Sequence, residues 1–206
     1  MNAKELVLFQ LKNLYGIGDL ELVSLNTEQL FDEAETFAFQ SISGFYNKYN
    51  TGEINPYNGV MYTNYLYWLS RLFYESGKEE IASKVYGLNK MLHSVDLFYA
   101  IELPPIWSCE HPLGAVMGRA KYGNRFFFYQ GCTVGGNIHK GHLEYPIIGE
   151  DVKMYSDSKI LGKCIIGNNV TLAANAYVIN QDIPDNCIVF GQSPNIVIKR
   201  KMDVKT

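Results

Sequence analysis

The C-terminal half of the chain has a six-residue period that starts at Ile148. Six consecutive units can be written from that residue, with the sequences IGEDVK, MYSDSK, ILGKCI, IGNNVT, LAANAY and VINQDI. Every unit opens with an apolar residue, and five of the six fifth positions are small or β-branched. An α-helix, with about 3.6 residues per turn, cannot keep such a repeat on one face. The period of two in an ordinary strand does not explain it either.

A coil of short strands with a corner after every six residues accommodates this pattern. Three units form one triangular rung, and stacked rungs place the first residues of the units in a ladder inside the coil. Asn168, Asn169 and Asn175 fit the corners, where tight turns tolerate or require unusual φ angles. A β-sandwich with accidental spacing is the alternative, and the regularity of six consecutive units argues against it.

The first half of the chain has helical periodicity instead. Three segments repeat apolar residues at the three- and four-residue spacing of an amphipathic helix. Their predicted inward residues are Leu30, Phe31, Ala34, Phe37 and Ala38 in the first segment, Tyr62, Tyr65, Leu66, Leu69, Leu72 and Phe73 in the second, and Ile81, Val85, Leu88 and Leu92 in the third. Gly77 is predicted to end the second helix. We therefore expect an α+β protein with a helical domain at 1–93 and a coil domain at 94–206.

Composition and charge favour a soluble, globular, cytoplasmic protein. The net charge of -3 gives no reason to expect nucleic acid or an anionic membrane surface as a partner. No apolar run approaches the roughly 18 residues that span a bilayer, and the N-terminal residues lack a signal-peptide core. The four cysteines form no CxxC pair, so we expect reduced thiols rather than disulfides or a structural zinc site.

Upstream of the repeats lies a segment with candidate catalytic residues, PPIWSCEHPLGAVMGRAKYGNRFFFYQGCTVGGNIHKGHLEYP. Together with the repeats and the later IPDNCIVFGQSPNIVIK, it resembles the serine acetyltransferases, a family of hexapeptide-repeat transferases. The resemblance covers residues 96–199, about half of the chain. It rests on the pair Glu110-His111, on Asp96 lying 15 residues before His111, on the run Thr133-Val134-Gly135-Gly136, and on the distance from that run to Pro146. It implies that the coil is a left-handed parallel β-helix, an exception to the usual right-handed crossover.

The resemblance also implies an acetyl-CoA-dependent O-acetyltransferase, serine O-acetyltransferase-like, in which His111 is the general base. Because the ordinary pKa of histidine is about 6.5, an imidazole can take a proton from the attacking hydroxyl or amine at neutral pH. Asp96 would fix the tautomer of His111 and stabilise the imidazolium. This pairing follows from the resemblance alone, since a separation of 15 residues does not match an 18-residue rung.

Acetyl-CoA is the expected co-substrate, and no metal is expected. By resemblance, contacts to the coenzyme fall on Ser156 and Ala174 at the rung corners. Gly135 and Gly136 would let backbone amides approach the pantetheine arm or an oxyanion. Lys199, at the start of a basic run, is a candidate for the coenzyme phosphates, with a solvated tail as the alternative.

The acceptor site departs from the family pattern at Glu144 and Tyr145, where the family has an Arg-His pair that helps hold the amino-acid acceptor. Arginine binds a carboxylate bidentately whereas glutamate repels it. A sugar or nucleotide sugar of surface polysaccharide synthesis, O- or N-acetylated, is therefore the alternative small-molecule acceptor. Glu110 could hold an amino group or sugar hydroxyls. His139 and His142 either line the acceptor pocket or are exposed loop residues.

Two other functional classes are open. A metal-dependent β-helix enzyme would need three histidines on neighbouring rungs, and His139 and His142 share one loop. A non-catalytic scaffold is the other, and the intact pair of Asp96 and His111 argues against it. The resemblance also implies a homotrimer with active sites between neighbouring coils, or a dimer of such trimers joined through the helical halves.

Overall fold

The computed structural model describes residues 1–17, 27–45 and 52–202. The chain divides into two compact units, Met1–Ala100 and Ile101–Thr206. Within the described residues the helices are α1 (Ala3–Tyr15), α2 (Glu28–Ser43), α3 (Gly59–Glu75) and α4 (Glu79–His93). The strands are β1 (Asp96–Leu97), β2 (Trp107–Cys109), β3 (Val116–Met117), β4 (Lys121–Tyr122), β5 (Phe126–Phe128), β6 (Thr133–Gly135), β7 (Asn137–His139), β8 (His142–Glu144), β9 (Ile147–Ile148), β10 (Lys153–Met154), β11 (Lys159–Leu161), β12 (Ile165–Ile166), β13 (Thr171–Leu172), β14 (Tyr177–Ile179), β15 (Cys187–Phe190) and β16 (Val197–Arg200). No helix in the described part of the chain has both the length and the apolar character needed to cross a bilayer.

Helix α3 is the centre of the helical unit. Asn58 caps its start, since the side chain accepts hydrogen bonds from the backbone amides of Val60 and Met61. All six residues predicted to face inward from this helix are buried, which confirms that part of the prediction. Gly77 adopts a φ of +74° directly beyond the helix, where such a conformation ends helices, as predicted.

Two of the inward residues predicted for the other helices are wrong. Phe37 is 37% exposed, because it lies at the edge of the buried stripe of α2, where its ring contacts Trp68 edge-to-face. Leu92 is 44% exposed, because the buried stripe of α4 ends one turn earlier at Leu88 and Asn89. Helix α1, which no sequence pattern had marked, buries its own apolar stripe in the same core.

The strands of the second unit wind as a parallel coil with three faces. The chain visits the faces in a fixed order, first β4, β9 and β12, then β5, β10, β13 and β15, then β6, β11 and β14. Met154 pairs with Leu172 and Ile160 with Val178, in each case 18 residues further along the chain. The predicted rung of three six-residue units is therefore confirmed in this part of the coil.

The inside of the coil is filled by the two predicted columns of the repeat. The first positions are all buried: Ile148, Met154, Ile160, Ile166, Leu172 and Val178. The fifth positions Val152, Ser158, Cys164, Val170 and Ala176 are buried too. Asp182, the remaining fifth position, is exposed, and its carboxylate accepts a hydrogen bond of 2.8 Å from the backbone amide of Ile165.

The corners contain the predicted asparagines, in two different roles. Asn169 and Asn175 have φ angles of +53° and +62°, in the left-handed region that asparagine tolerates better than most residues. Asn168 instead uses its side chain, which accepts a hydrogen bond of 2.8 Å from the backbone amide of Glu150 one rung away. The corners are thus stabilised both by backbone conformation and by side-chain bonds between rungs.

Three glycines form a ladder where each rung leaves the first face. A Cβ atom built on Gly123 would collide with the backbone of Gly149, and one on Gly149 would lie 2.8 Å from the carbonyl of Gly167. The backbones of successive rungs are therefore in direct contact at this corner, which explains the recurring glycine in the second position of two of the units.

One rung contains an insertion that leaves the coil register unchanged. Val134 pairs with Ile160, 26 residues further along the chain rather than 18. The eight additional residues form an antiparallel hairpin of β7 and β8, in which His139 pairs with His142 across a turn of Lys140 and Gly141. The hairpin projects from the coil between β6 and β9.

Candidate active site

His111 lies in an enlarged corner of the coil. Six residues separate Cys109 of β2 from Val116 of β3, whereas four separate Phe128 of β5 from Thr133 of β6. The flanking strands remain in register, since Cys109 pairs with Phe128 and Val116 with Thr133. The two additional residues therefore bulge out of the coil at His111.

The backbone at this corner keeps His111 at the surface. His111 has a φ of +48°, an unusual value for a residue with a bulky side chain, and its carbonyl accepts a hydrogen bond of 2.7 Å from the amide of Leu113. The side chain of His111 is exposed, and the preceding Glu110 is half-buried. Arg125 and Asp157 have the same left-handed conformation, so the positive φ of His111 belongs to the geometry of the coil corners.

The register brings His111, Ser156 and Ala174 to the same corner of the coil. Ser156 follows Met154 by two residues and Ala174 follows Leu172 by two, and those strand residues pair with each other. The amide of Asn175 donates to the carbonyl of Ser156, so the rungs are in contact here. Ser156 is half-buried and Ala174 is exposed. A small side chain at each position leaves the outside of this corner open.

A cleft of about 290 Å³ lies beside the same corner. It is lined by Asp157, Lys159, Leu161, Asn175, Tyr177 and Gln192. Asp157 and Asn175 directly follow Ser156 and Ala174 in the chain, so the cleft adjoins the corner at these two residues. Of these lining residues the sequence had marked only Asn175, as a corner residue, because the others belong to outward positions of the repeat.

Asp96 is held by two side chains of the helical unit. Its carboxylate accepts hydrogen bonds of 2.7 Å from the Tyr86 hydroxyl and 2.8 Å from the Lys90 ammonium. The hydrogen bond to Asp96 raises the pKa of Lys90, so the lysine remains charged. Asp96 and His111 belong to different compact units, and their pairing stays a prediction. Sequence spacing gave no signal for Tyr86 or Lys90.

Gly135 and Gly136 lie at the root of the hairpin. The carbonyl of Gly135 accepts a hydrogen bond of 2.9 Å from the amide of Gly162 in the next rung. A Cβ atom on Gly136 would lie 2.8 Å from Cε1 of Tyr145. Tyr145 therefore packs directly against Gly136, which gives this glycine a structural reason besides the predicted approach to a ligand.

The hairpin has one polar and one apolar face. Strand alternation and the pairing of His139 with His142 place both histidines on the face that also carries Glu144. Glu144 lies 3.9 Å from the Lys163 ammonium of the next rung. On the opposite face Ile138 and Leu143 are 70% and 58% exposed.

The part of the chain that the structure describes has no cluster of potential metal ligands, and its four thiols are buried. It contains no group of three or more histidine, cysteine or acidic side chains that could hold a metal ion. Cys109, Cys132, Cys164 and Cys187 are free and buried, and burial raises the pKa of each thiol. These thiols therefore stay protonated and are poor nucleophiles.

Lys199 belongs to a strand rather than to a tail. It lies on β16, which pairs antiparallel with β15, and its ammonium lies 5.5 Å from the centre of the Phe190 ring. The order of strands on this face places β16 at the opposite end from β2, which precedes His111. The structure therefore does not bring Lys199 close to the corner of His111.

Arg119 is a residue of the site region that the sequence pattern had not marked. Its guanidinium donates a hydrogen bond of 3.2 Å to the Tyr145 hydroxyl, and its central carbon lies 5.3 Å from the centre of the Tyr145 ring. One signal could have marked Arg119 in the sequence. Met117 pairs with Val134, so Gly118 corresponds to Gly135 in the next rung, and Arg119 directly follows Gly118.

Comparison with known proteins gives one family match and many relatives of one kind. The family described as bacterial transferase hexapeptide (six repeats) matches residues 145–180. A serine acetyltransferase of Synechococcus elongatus is 32% identical over 114 residues, which are 55% of this chain and 46% of the relative. The chain thus matches about half of the length of this curated relative.

Solved structures give the same result for the fold. A serine acetyltransferase of Neisseria gonorrhoeae superimposes with a TM-score of 0.67 at 21% identity, over 89% of this chain and 70% of the other. A serine acetyltransferase of Brucella abortus in complex with coenzyme A gives a TM-score of 0.65 at 19% identity, over 86% of this chain and 71% of the other. The chain thus contains the bacterial transferase hexapeptide repeat and has the fold of the serine acetyltransferases, which confirms the family resemblance inferred from its sequence.

Proposed function

We propose that this protein is an acetyl-CoA-dependent O-acetyltransferase of the serine acetyltransferase type, with His111 as general base. The observation that carries the proposal is the corner at His111. An enlarged turn exposes this imidazole on the same coil edge as Ser156 and Ala174. In the same proposal the coil at 94–206 is a left-handed β-helix and residues 1–93 form a separate helical domain.

The proposed reaction is a direct transfer between two bound substrates. The imidazole of His111 removes the proton of an acceptor hydroxyl while the hydroxyl oxygen attacks the thioester carbon of acetyl-CoA. The intermediate collapses with cleavage of the carbon–sulfur bond, and the departing thiolate takes the proton from the imidazolium. Asp96 would stabilise that imidazolium, and the amides of Gly135 and Gly136 would stabilise the negative oxygen.

Acetyl-CoA is proposed to lie along the corner that carries Ser156 and Ala174. The adjoining cleft offers Lys159 as a cation for the coenzyme phosphates and Tyr177 as an aromatic surface. The Brucella relative was solved with coenzyme A, which supports this class of co-substrate. Lys199 remains a weaker candidate because β16 is at the far end of its face.

Serine or a related hydroxyl compound is the proposed acceptor, with Glu110, Glu144, Tyr145, His139 and His142 as candidate contacts. The relatives are named for serine, which supports it. A sugar or nucleotide sugar is the second candidate. Glu144 favours it, since a carboxylate at this position repels an amino-acid carboxylate and can accept hydrogen bonds from sugar hydroxyls.

A homotrimer in the cytoplasm is the proposed assembly, with a dimer of trimers as its extension. The exposed apolar side chains of Ile138 and Leu143 on the hairpin, and of Ile147 and Ile165 on the first face, support burial against neighbouring coils. No nucleic-acid or membrane partner is proposed.

Acetyl transfer can be tested by following the release of the coenzyme A thiol with serine, other amino acids, sugars and nucleotide sugars as acceptors. We expect His111→Ala to lower kcat by roughly 10²–10⁴-fold with at least one of these acceptors, while far-UV circular dichroism stays unchanged. His93→Gln, which changes a histidine of the helical unit, serves as the matched control and should retain wild-type activity. Comparable activity of the His111→Ala variant and the wild type would reject the assignment.

A further inference from the structure

Arg119 leaves the coil at a point where two rungs are pressed together. The amide of the preceding Gly118 donates a hydrogen bond of 2.8 Å to the carbonyl of Val134, and a Cβ atom on Gly118 would lie 2.7 Å from the same oxygen. No side chain larger than hydrogen fits at position 118 without movement of a backbone. The start of the Arg119 side chain is therefore fixed relative to the root of the hairpin.

Tyr145 fixes the other end of the Arg119 side chain. The guanidinium donates a hydrogen bond to the tyrosine hydroxyl at 3.2 Å and lies over the ring, 5.3 Å from its centre. The ring itself packs against Gly136. A guanidinium held at both ends loses less conformational freedom when it binds a ligand than a free arginine side chain would.

The charge of Arg119 has no carboxylate partner among residues 1–17, 27–45 and 52–202. Arg71 and Arg125, by contrast, bind Glu75 and Asp151 at 2.7 and 2.6 Å. Glu144, beside Tyr145, lies near Lys163 instead. Arg119 is also exposed, and Tyr145 takes only one of the roughly five N–H donors of a guanidinium. Several donors in a fixed plane remain available to a ligand.

We infer that Arg119 binds an anionic group of the acceptor, a carboxylate or a phosphate. This inference rests on the proposed acetyl transfer, because it takes the hairpin root as the acceptor side of the site. The planar fork of a guanidinium matches the oxygens of a carboxylate or phosphate in two parallel hydrogen bonds. Arg119 would thus provide, from a different rung, the positive charge that the resembled family has at the position of Glu144.

Two pairs of acceptor compounds, whose members differ in one anionic group, distinguish a carboxylate from a phosphate as the group that Arg119 binds. L-serine is compared with serinol, and glucosamine 1-phosphate with glucosamine, for acetyl-CoA turnover by the full-length wild type and by Arg119→Met. We expect the variant to raise KM for the anionic member of one pair on the order of 10- to 100-fold and to leave its neutral member unchanged. Arg119→Lys should recover part of the loss, because lysine keeps the charge without the fork.

Lys121→Met is the matched control, since it removes another exposed cation two residues away. It should leave both KM values unchanged. Equal losses for the anionic and neutral members in Arg119→Met, together with a lowered melting temperature, would assign Arg119 a structural role and overturn the inference.

The inference can also fail separately from the proposed function. If the wild type acetylates none of the four compounds, ligand-induced shifts in melting temperature still report binding. Greater stabilisation of the wild type by L-serine or by glucosamine 1-phosphate than by the neutral partner, lost in Arg119→Met, supports the anion site. In that case the absence of such a difference in the wild type refutes the inference.

Discussion

Replacing Gly149 by alanine should destabilise the coil through contact between backbones. The new Cβ atom would lie 2.8 Å from the carbonyl of Gly167 and 2.6 Å from the Asn168 side-chain oxygen. Real Cβ atoms are essentially never that close to other heavy atoms, so adjacent rungs must separate at this corner. Gly149 does not have a positive φ, so the cost comes from contact rather than from backbone strain.

The magnitude follows from what the separation disturbs. Two hydrogen bonds of 2.8 Å cross this corner, from the amide of Gly149 to the carbonyl of Ile166 and from the amide of Glu150 to Asn168. Weakening each costs about 0.5–1.5 kcal/mol, and overpacking adds about 1–3 kcal/mol. The free energy of unfolding should fall by about 2–6 kcal/mol, which for a chain of this size lowers the melting temperature by roughly 4–24 °C.

Differential scanning calorimetry of Gly149→Ala and Gly59→Ala measures this effect against a matched change. A Cβ on Gly59, the first residue of α3, would have only the His93 ring within 4 Å, at 3.9 Å. Gly59→Ala should therefore leave the melting temperature unchanged or raise it slightly. Equal melting temperatures for the wild type and Gly149→Ala would show that the rungs are not in contact at the glycine ladder.

Two further predictions concern the helical unit. Burial lowers the pKa of His93 to about 4, below its value of about 6.5 in the unfolded chain, so the unfolded chain takes up a proton first as the pH falls. The stabilisation from neutral His93 is complete above pH about 6.5, and urea titrations should show the free energy of unfolding lowered by about 2 kcal/mol at pH about 5. The His93→Gln variant should lose less stability over this pH range, and an equal loss in both proteins would contradict the assignment. Asn58→Ala removes the cap that accepts hydrogen bonds from Val60 and Met61 and should cost about 0.5–2 kcal/mol, whereas an unchanged urea midpoint would show that the cap contributes nothing.

The coil could be predicted from the sequence because similar residue types recur at every sixth position. The first position of each unit, such as Ile160 or Val178, faces inward and is apolar, and asparagine, aspartate or glycine occupies many of the corner positions with a positive φ. Helix α1 was missed because its stripe of Ala3, Val7 and Leu11 is short and interrupted by polar residues.

The candidate site was predictable only where a motif names a residue. His111 belongs to such a motif. Its enlarged corner could not be predicted, because that requires the number of residues between two strands whose ends the sequence does not mark. The contact of Arg119 with Tyr145 joins residues 26 positions apart across an insertion, so no local pattern reveals it. Neither does spacing show that Tyr86 and Lys90 hold Asp96.

The hairpin of β7 and β8, the proposed acceptor side of the site, is inserted without altering the register of the coil. The hairpin residues lengthen one rung without changing the strand register, since Val134 still pairs with Ile160 and Tyr122 with Ile148. Loops whose ends are already fixed tolerate changes in length at small entropic cost. If the hairpin contacts the acceptor as proposed, grafting a longer or shorter hairpin between Gly136 and Tyr145 should change which nucleophiles are acetylated, while the coil that presents His111 folds as before.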